Sequence, residues 1–315
     1  MTVLILTHPL DLTTDLVVAA LVERGTPVAR FDLAQFPQDL TLDARLVHGQ
    51  WTGSLADSHR RVDLDGVTAV YYRRPSPFVL PAMSDPERVW AADEARHGIG
   101  GVLASLPCRW VNHPGRNAAA SYKPVQLTTA VECGLDVPAT LITNDQAAAR
   151  QFVTATADGA VYKPLYGSPA EPGWALFTSR VTADQLGPSV AATAHTFQAY
   201  VPKSHEVRLT FVGDRLFPTR IDAGSAAAEL DWRTDYDALT YERTEVPPDV
   251  AAAVRRLMAA LGLRFGALDF VVTPENRWIF LEINANGQWA WIERATGLPI
   301  AAAVAAELST PGVSP

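Results

Sequence analysis

Two strand-like segments near the end of the chain, 266–272 and 278–284, constrain its fold more than any other feature. Both are rich in β-branched, aromatic and aliphatic residues, and the turn-forming segment 273–277 separates them. They therefore predict a β-hairpin. With a four-residue loop closed by Thr273 opposite Trp278, the pairing of every residue further along both strands follows by counting.

This count places Asp269 directly opposite Glu282, where two like charges repel. Asn284 lies two residues beyond Glu282 and points to the same face. Two carboxylates and an amide oxygen on one face suit a hard divalent cation, although a solvated acidic hairpin face is the alternative. The residues predicted to point the other way, into a core, are Leu268, Phe270, Leu281 and Ile283.

Composition excludes several functional classes. The chain has 315 residues, enough for two or three domains, and 48% hydrophobic and 19% charged residues indicate a globular protein. A net charge of −8 argues against a nucleic-acid-binding face, so any anionic substrate requires locally focused basic groups. Cys108 and Cys133 show no CxxC spacing, which argues against a disulfide framework or a zinc site.

The N-terminal third alternates strand and helix. Residues 3–7 read as a strand rather than a signal peptide, and no apolar stretch is long enough to span a membrane, so we expect a cytoplasmic protein without a membrane partner. A strand at 28–32 and an intervening helix from Thr13 to Arg24, capped by Thr13, predict a doubly wound parallel sheet. Further elements are predicted at 67–73 (strand), 86–105 (helix) and 109–112 (strand). No GxGxxG follows the first strand, so a dinucleotide site has little support.

Proline and glycine residues suggest where the rest of the chain divides into domains. The His-Pro-Gly at 113–115 marks a boundary, and a second boundary is expected near Thr196. We therefore expect domains at 1–113, 114–196 and 197–315. The predicted elements are a helix at 122–133 capped by Ser121, strands at 135–143 and 160–165, a loop at 166–175, strands at 206–212 and 216–221, and helices at 247–261 and 299–308.

Two lysines and a linker suggest a nucleotide site. Lys123 lies on the first turn of a predicted helix, and Lys163 ends a predicted strand. Ammonium groups bind phosphate, and Mg²⁺ held by carboxylates usually completes its shell with substrate phosphates. The extended segment 197–208 could sandwich a flat heterocycle, and Glu206 could accept hydrogen bonds from a ribose. Solvent-facing lysines and a plain interdomain linker are the alternatives.

The order of these parts resembles the ATP-grasp superfamily. The shared elements are a lysine before Pro-Val-Gln-Leu, Tyr-Lys-Pro-Leu, Gln-x-Tyr-Val, Glu-Val-Arg-Leu, Leu-Asp-Phe and Leu-Glu-Ile-Asn. The resemblance implies an α/β chain with an N-terminal doubly wound pre-ATP-grasp domain and ATP sandwiched between two α+β subdomains. It also implies that Lys123 and Lys163 bind the ATP phosphates, Gln198, Ala199, Tyr200 and Val201 hold adenine, Glu206 binds ribose, and Asp269, Glu282 and Asn284 ligate two Mg²⁺ ions. The loop after Lys163 departs from the family pattern because it holds only Gly167 and Gly173.

A narrower resemblance covers nearly the whole chain. Segments 71–75, 110–114, 134–145 and 286–293 are similar to microviridin-type ribosomal-peptide maturases, the graspetide synthetases. Those enzymes join side-chain carboxylates of a precursor peptide to hydroxyl or amine side chains of the same peptide. The implied partner is a precursor peptide with a leader and a core that contains acidic and Thr/Ser residues, and a homodimer is a further option.

Several arginines are candidates for binding the anionic groups of ATP and the substrate. We expect Arg208, Arg220 and Arg233 to grip the γ-phosphate and the substrate carboxylate, because a guanidinium fork matches both anions, with surface arginines as the alternative. Arg73 and Arg74 end a strand at the C-terminal edge of the first sheet, where they could meet the peptide. No Ser-His-Asp or Cys-His arrangement is evident, so we expect no covalent enzyme intermediate.

Two other functions remain open at this point. One is an intermolecular ligase that joins a free amino acid to a peptide or protein carboxylate. The other is a nucleotide-binding module or phosphotransferase without ligase activity.

Overall fold

The computed structural model describes residues 2–166 and 176–310. The N-terminal third forms a parallel sheet, called here the N-terminal sheet, with strand order β2-β1-β6-β7. Its elements are β1 (Thr2–Thr7), α1 (Leu12–Glu23), β2 (Val28–Phe31), β3 (Thr41–Val47), β4 (Gln50–Ala56), β5 (Arg61–Asp63), β6 (Val67–Arg73), α2 (Asp85–Ala104) and β7 (Arg109–Val111). The predicted doubly wound arrangement is confirmed.

Both faces of the N-terminal sheet are covered, which explains the continuous apolar run of its first strand. Val3 and Ile5 pack in one core with α1, while Leu4 and Leu6 pack in a second core with α2. The antiparallel sheet β3-β4-β5 was not predicted, because β3 is largely exposed and offers little apolar pattern.

The cap of α1 differs from the prediction. The Asp11 carboxylate accepts hydrogen bonds from the backbone N–H groups of Thr13 and Thr14, so the helix begins one residue before the predicted Thr13 cap. A carboxylate is well suited to the N-terminus because it binds exposed N–H groups and favours the helix dipole.

The middle of the chain builds a second sheet, the central sheet, with order β10-β9-β11-β8. Its elements are α3 (Pro114–Ala120), α4 (Lys123–Glu132), β8 (Thr140–Thr143), α5 (Gln146–Ala155), β9 (Ala160–Lys163), β10 (Ser179–Val181) and β11 (His195–Ala199). Ser121 ends α3 instead of capping the next helix, since its hydroxyl donates to Ala118 O. The predicted loop at 166–175 lies outside the described residues except for Tyr166, and so do Gly167 and Gly173.

The C-terminal part forms an antiparallel sheet, the C-terminal sheet, with order β14-β13-β12-β15-β16. Its elements are β12 (His205–Val212), β13 (Arg215–Ala223), α6 (Ala226–Leu230), β14 (Leu239–Arg243), α7 (Pro248–Ala260), β15 (Phe265–Val272), β16 (Trp278–Asn284), α8 (Ala290–Thr296) and α9 (Ile300–Ser309). One face packs on α4 and α7 around Val207, Leu209 and Phe270. The other face meets the N-terminal sheet at one end and the central sheet at the other.

The predicted hairpin is present, but its turn and its strand pairing differ in detail from the prediction. Val272, not Thr273, lies opposite Trp278, so the turn is one residue longer than predicted. The register then shifts, and Leu281 is the extra residue on β16, which restores the pairing of Asp269 with Glu282. The facing carboxylates are therefore confirmed. The prediction that Leu281 points into the core was wrong, because this irregularity turns its side chain to the other face.

The division into three domains stays a proposal. Strand β11 lies across the predicted boundary at 196/197 and pairs with both β8 and β9. We therefore place the second boundary after Ala199. None of the helices in the described parts of the chain has the length and apolarity that a membrane span requires.

Candidate active site

A cleft lies between the central sheet and the C-terminal sheet. The central side contributes Pro138, Val161, Lys163, Thr178, Gln198, Ala199, Tyr200 and Val201. The C-terminal side contributes Lys203, Glu206, Leu230, Asp231, Trp232, Arg233, Asp269, Val271, Leu281 and Glu282. Most of the residues predicted for a nucleotide site thus meet in one place, although they come from separate elements.

One end of the cleft suits a flat apolar ring. Ala199, at the end of β11, and the two residues after it line this end together with the apolar side chains of Val161, Val271 and Leu281. Gln198 is buried and its amide donates to the Thr140 hydroxyl at 3.0 Å, so its side chain is committed to β8. A ring bound here would therefore contact mainly the apolar side chains, as is common in ligand pockets.

The other end carries the facing acids. Both oxygens of Asp269 accept from Nη1 of Arg208 at 2.7 Å, and Glu282 pairs with Lys123 at 2.8 Å. Asn284 continues on the same face opposite Ala267, where it is exposed and accepts from the backbone of Asn286. The donor set of two carboxylates and an amide oxygen fits a hard divalent cation.

The two acids have opposite pKa shifts. Burial raises the pKa of Asp269, and Arg208 offsets this only in part. Burial alone would also raise the pKa of Glu282, but Lys123 and Lys163 outweigh it and bring the pKa to about 2. Glu282 is therefore fully ionised at neutral pH.

The two predicted phosphate-binding lysines, Lys123 and Lys163, differ in their contacts. Lys123 bridges Glu282 and the carbonyl of Pro164, to which it donates at 2.9 Å. Burial lowers the pKa of Lys163, and the attraction of Glu282 opposes this. Within the described parts of the chain, Lys163 forms no ion pair, so its Nζ is available to an anionic ligand, which would favour the protonated form.

Two ion pairs in the cleft were missed by sequence reasoning. Lys203 pairs with Glu206, which gives the predicted ribose ligand a fixed orientation. Burial raises the pKa of Glu206, and Lys203 opposes the rise. The spacing Lys-x-x-Glu after β11 was the available signal for this pair.

The second missed pair joins Asp231 to Arg233 through two hydrogen bonds, at 2.8 and 2.6 Å. Burial would raise the pKa of Asp231, but Arg233 and the backbone N–H of Thr178 hold it below its usual range. Because Thr178 donates to Asp231 at 3.0 Å, this carboxylate also connects the two sides of the cleft.

The structure does not bring every predicted arginine to the cleft. Thr219 pairs with Arg208, so the next residue, Arg220, lies opposite Val207 on the other face of the sheet. There it pairs with Asp222. Arg73 is fully buried and contacts Asp11, so the expectation that it meets a peptide is corrected, whereas Arg74 is exposed.

Known proteins are similar to this chain in sequence and in fold. Residues 2–117 match the family described as the MvdD pre-ATP grasp domain. No curated protein sequence is significantly similar to the chain. The macrocyclase MdnC from Microcystis aeruginosa MRC is 34% identical with a TM-score of 0.86, covering 98% of this chain and 99% of that one. The macrocyclase MdnB from the same organism is 32% identical with a TM-score of 0.81 and the same coverage.

A RiPP-associated ATP-grasp ligase from Chryseobacterium gregarium is 28% identical with a TM-score of 0.89, covering 98% of this chain and 96% of that one. The fold and the cleft define an ATP-dependent ligase of the ATP-grasp class. Within that class, the chain belongs to the family of ATP-grasp ligases that contains the macrocyclases MdnC and MdnB.

Proposed function

We propose that this ligase uses ATP to join a side-chain carboxylate of a ribosomally made precursor peptide to a hydroxyl or amine side chain of the same peptide. The observation that carries the proposal is the facing pair Asp269–Glu282 beside Lys163, in a chain similar over its full length to peptide macrocyclases. MdnC was solved with its precursor peptide MdnA, and the Chryseobacterium ligase with ADP and a leader and core peptide.

The roles proposed for the cleft follow its geometry. The residues after β11 and the apolar side chains around them hold adenine, and Glu206 holds ribose in the orientation that Lys203 sets. Lys163 and Lys123 hold the phosphates at the end of the cleft where the acids lie. Gln198, Ala199, Tyr200 and Val201 are the residues assigned to adenine.

The reaction needs an activated carboxylate, because the leaving group of a free carboxylate would be oxide. Transfer of the γ-phosphoryl group of ATP to the carboxylate oxygen gives an acyl phosphate, with ADP as the product. The peptide hydroxyl or amine then attacks the acyl carbon, loses its proton, and inorganic phosphate leaves. Arg208 and Arg233, whose guanidinium groups lie in or behind the cleft wall, are the groups we assign to the developing negative charge.

Asp269, Glu282 and Asn284 would hold two Mg²⁺ ions, which neutralise charge on the transferred phosphoryl group. The residues present fit that role on two grounds. The carboxylates face each other across β15 and β16, and Glu282 stays ionised because of Lys123 and Lys163.

We further propose that the peptide approaches from the C-terminal edge of the N-terminal sheet. Arg74 is exposed there, directly after β6, and it lies close enough to Arg208, the partner of Asp269, for their two positive charges to repel each other. It is therefore placed to attract the acidic side chains of a core that also carries Thr or Ser nucleophiles. Assembly into a homodimer remains part of the proposal.

The function is tested by incubating the protein with Mg·ATP and the short acidic peptide encoded beside its gene. Loss of the mass of one water per bond, together with ADP release, is the expected result. A gain of an amino-acid mass would indicate intermolecular ligation instead, and a stable gain of phosphate would indicate phosphotransfer without ligation.

The acids are tested by Glu282→Gln, which keeps the shape of the side chain and removes its charge. We expect turnover to fall at least about a hundredfold, because a proposed Mg²⁺ ligand loses its charge and the γ-phosphate loses the cation that would neutralise it. Glu242→Gln is the control, since Glu242 is exposed on β14 of the same sheet. Peptide mass spectrometry measures turnover, and normal activity of Glu282→Gln would refute the metal assignment.

A further inference from the structure

The guanidinium of Arg73 connects the N-terminal sheet to the segment that follows the acidic strand β16. Arg73 is 0% exposed, and Nε binds Asp11 at 2.9 Å. Nη1 donates to the carbonyl of Gly287 at 3.1 Å, and Nη2 donates to Oε1 of Gln288 at 2.6 Å. Nη1 also donates to the carbonyl of Asn286, at 3.5 Å. The guanidinium therefore serves four acceptors, one from Asp11 and one from each residue of the segment 286–288.

Asp11 fixes the position of that guanidinium. Its carboxylate caps α1 and also accepts from the hydroxyls of Thr7, at 3.0 Å, and Thr14, at 2.8 Å. Thr13 adds a second donor to Oε1 of Gln288, at 2.6 Å. The Asp11 carboxylate is thus fixed by Thr7 of β1 and by the first turn of α1.

The segment held by Arg73 packs against Ala267 of β15 and Arg208 of β12. A Cβ atom on Gly287 would lie 2.4 Å from Cβ of Ala267 and 2.9 Å from Nη2 of Arg208. Gly287 N also closes a turn onto the carbonyl of Asn284, at 3.1 Å. The Gly287 backbone therefore connects Arg73 to Arg208, the partner of Asp269, and to Asn284.

We propose that Arg73 is a positioning residue for the ligase reaction, which holds segment 286–288 so that Arg208, Asp269 and Asn284 keep their arrangement in the cleft. The proposal rests on the function proposed above. A fully buried ion pair is weak evidence for stability, because apolar residues of similar volume often serve as well. Its value here is geometric, since a guanidinium can fix several acceptors in one plane.

The first test is Arg73→Lys, which keeps the charge but has no planar guanidinium to serve four separated acceptors. We expect amide hydrogen exchange in segment 284–289 to accelerate about tenfold. We also expect the affinity for Mg·ADP, measured by calorimetry without peptide, to fall about tenfold, as is usual when a group that orients metal ligands is lost.

Arg109→Lys is the matched control. Arg109 leaves the neighbouring strand β7 and pairs with Glu307 of α9 at 2.6 Å, also in a buried position. This variant should lose stability to a similar degree, yet keep the exchange rate of 284–289 and the Mg·ADP affinity within about twofold of the wild type.

Gln288→Leu decides the question if Arg73→Lys does not fold, because it leaves Arg73–Asp11 intact and removes the acceptor that Arg73 and Thr13 share. It should also accelerate exchange in 284–289 and weaken Mg·ADP binding. Wild-type exchange and affinity in the folded variants, or equal losses in Arg109→Lys, would overturn the proposal. The proposed function fails separately if the wild type binds Mg·ADP but forms no cyclic peptide.

Discussion

At the residue scale, the cleft is organised by pairing. Among its described acidic residues, Glu206, Asp231, Asp269 and Glu282 each have a cationic partner. Lys163 has no ion-pair partner among the described residues, and burial lowers its pKa, so a bound anion would stabilise its ammonium form in a chain of net charge −8. Locally focused charge, rather than overall charge, decides which ligand a cleft attracts.

Arg233 lines the cleft, whereas Arg220 lies on the other face of the C-terminal sheet, and this difference can be tested. Arg233→Gln should lower kcat/KM for the peptide about a hundredfold, because Arg233 lines the cleft and is one of the groups that we propose to neutralise the developing charge. Arg220→Gln should stay within about twofold, since Arg220 forms an exposed pair with Asp222 on the other face. Steady-state kinetics measure both, and equal losses would mean that the cleft is wrongly placed.

At the scale of elements, the strand β16 and the turn after it form one unit with β15. The irregularity at Leu281 aligns the two acids and supplies an apolar side chain to the cleft. The backbone at Gly287 then folds back against β15 too closely for any side chain.

Gly287→Ala tests this close approach. Its new Cβ would overlap Ala267 and crowd Arg208, so we expect turnover to fall at least about tenfold in a folded protein. Gly100→Ala on α2 is the control, because no atom of the residues that the structure describes lies within 4 Å of the added Cβ. That variant should gain about 0.5–1 kcal/mol of stability at unchanged turnover, since alanine favours the helix.

The cap of α1 gives a pH prediction. Burial would raise the pKa of Asp11, but Arg73 and the hydroxyls of Thr14 and Thr7 outweigh it, so the pKa lies below 3.8. A lowered carboxyl pKa contributes stability that is present above 3.8 and is lost as the pH falls toward the folded-state pKa.

Asp11→Asn should therefore cost about 3 kcal/mol near neutral pH, because it leaves Arg73 without its anion, and less at about pH 3. Urea unfolding midpoints at the two pH values measure the difference. Asp15→Asn on the same helix should cost less than about 1 kcal/mol at either pH, since Asp15 is exposed. A cost for Asp11→Asn that does not depend on pH would contradict this account.

At the scale of the whole molecule, the N-terminal sheet and the C-terminal sheet share one core. Tyr71 of β6 and Phe265 of β15 belong to it together with residues of α1 and α9. Asn112, which directly follows β7, is 2% exposed and joins the two parts. It accepts from the N–H groups of Arg264 and Phe265, and it donates to the carbonyls of Phe265 and Ala285.

Asn112→Ala should lower the free energy of unfolding by about 2–4 kcal/mol, because several buried backbone groups lose their partners. Chemical denaturation measures this change. Asn144→Ala is the control, since Asn144 is exposed, and it should stay within about 0.5 kcal/mol of the wild type. An equally small effect at Asn112 would show that the two sheets are joined mainly by their apolar contacts.

The sequence by itself determined the local features of this protein. Alternation of side chains assigned Glu206 and Arg208 to one strand face, turn residues located the hairpin, and the order of the lysines and acids indicated an ATP-grasp ligase. These features depend on neighbours within a few residues, so they can be read from spacing alone.

Only the tertiary structure decided how distant elements meet. The register of β12 with β13 placed Arg220 on the face of the sheet away from the cleft, and the irregularity at Leu281 compensated for a turn longer than predicted. The burial of Arg73 and its contact with Gly287 also depend on partners more than two hundred residues away. Register and burial are set by the packing of whole sheets, and a period of two along one strand does not specify the partner strand.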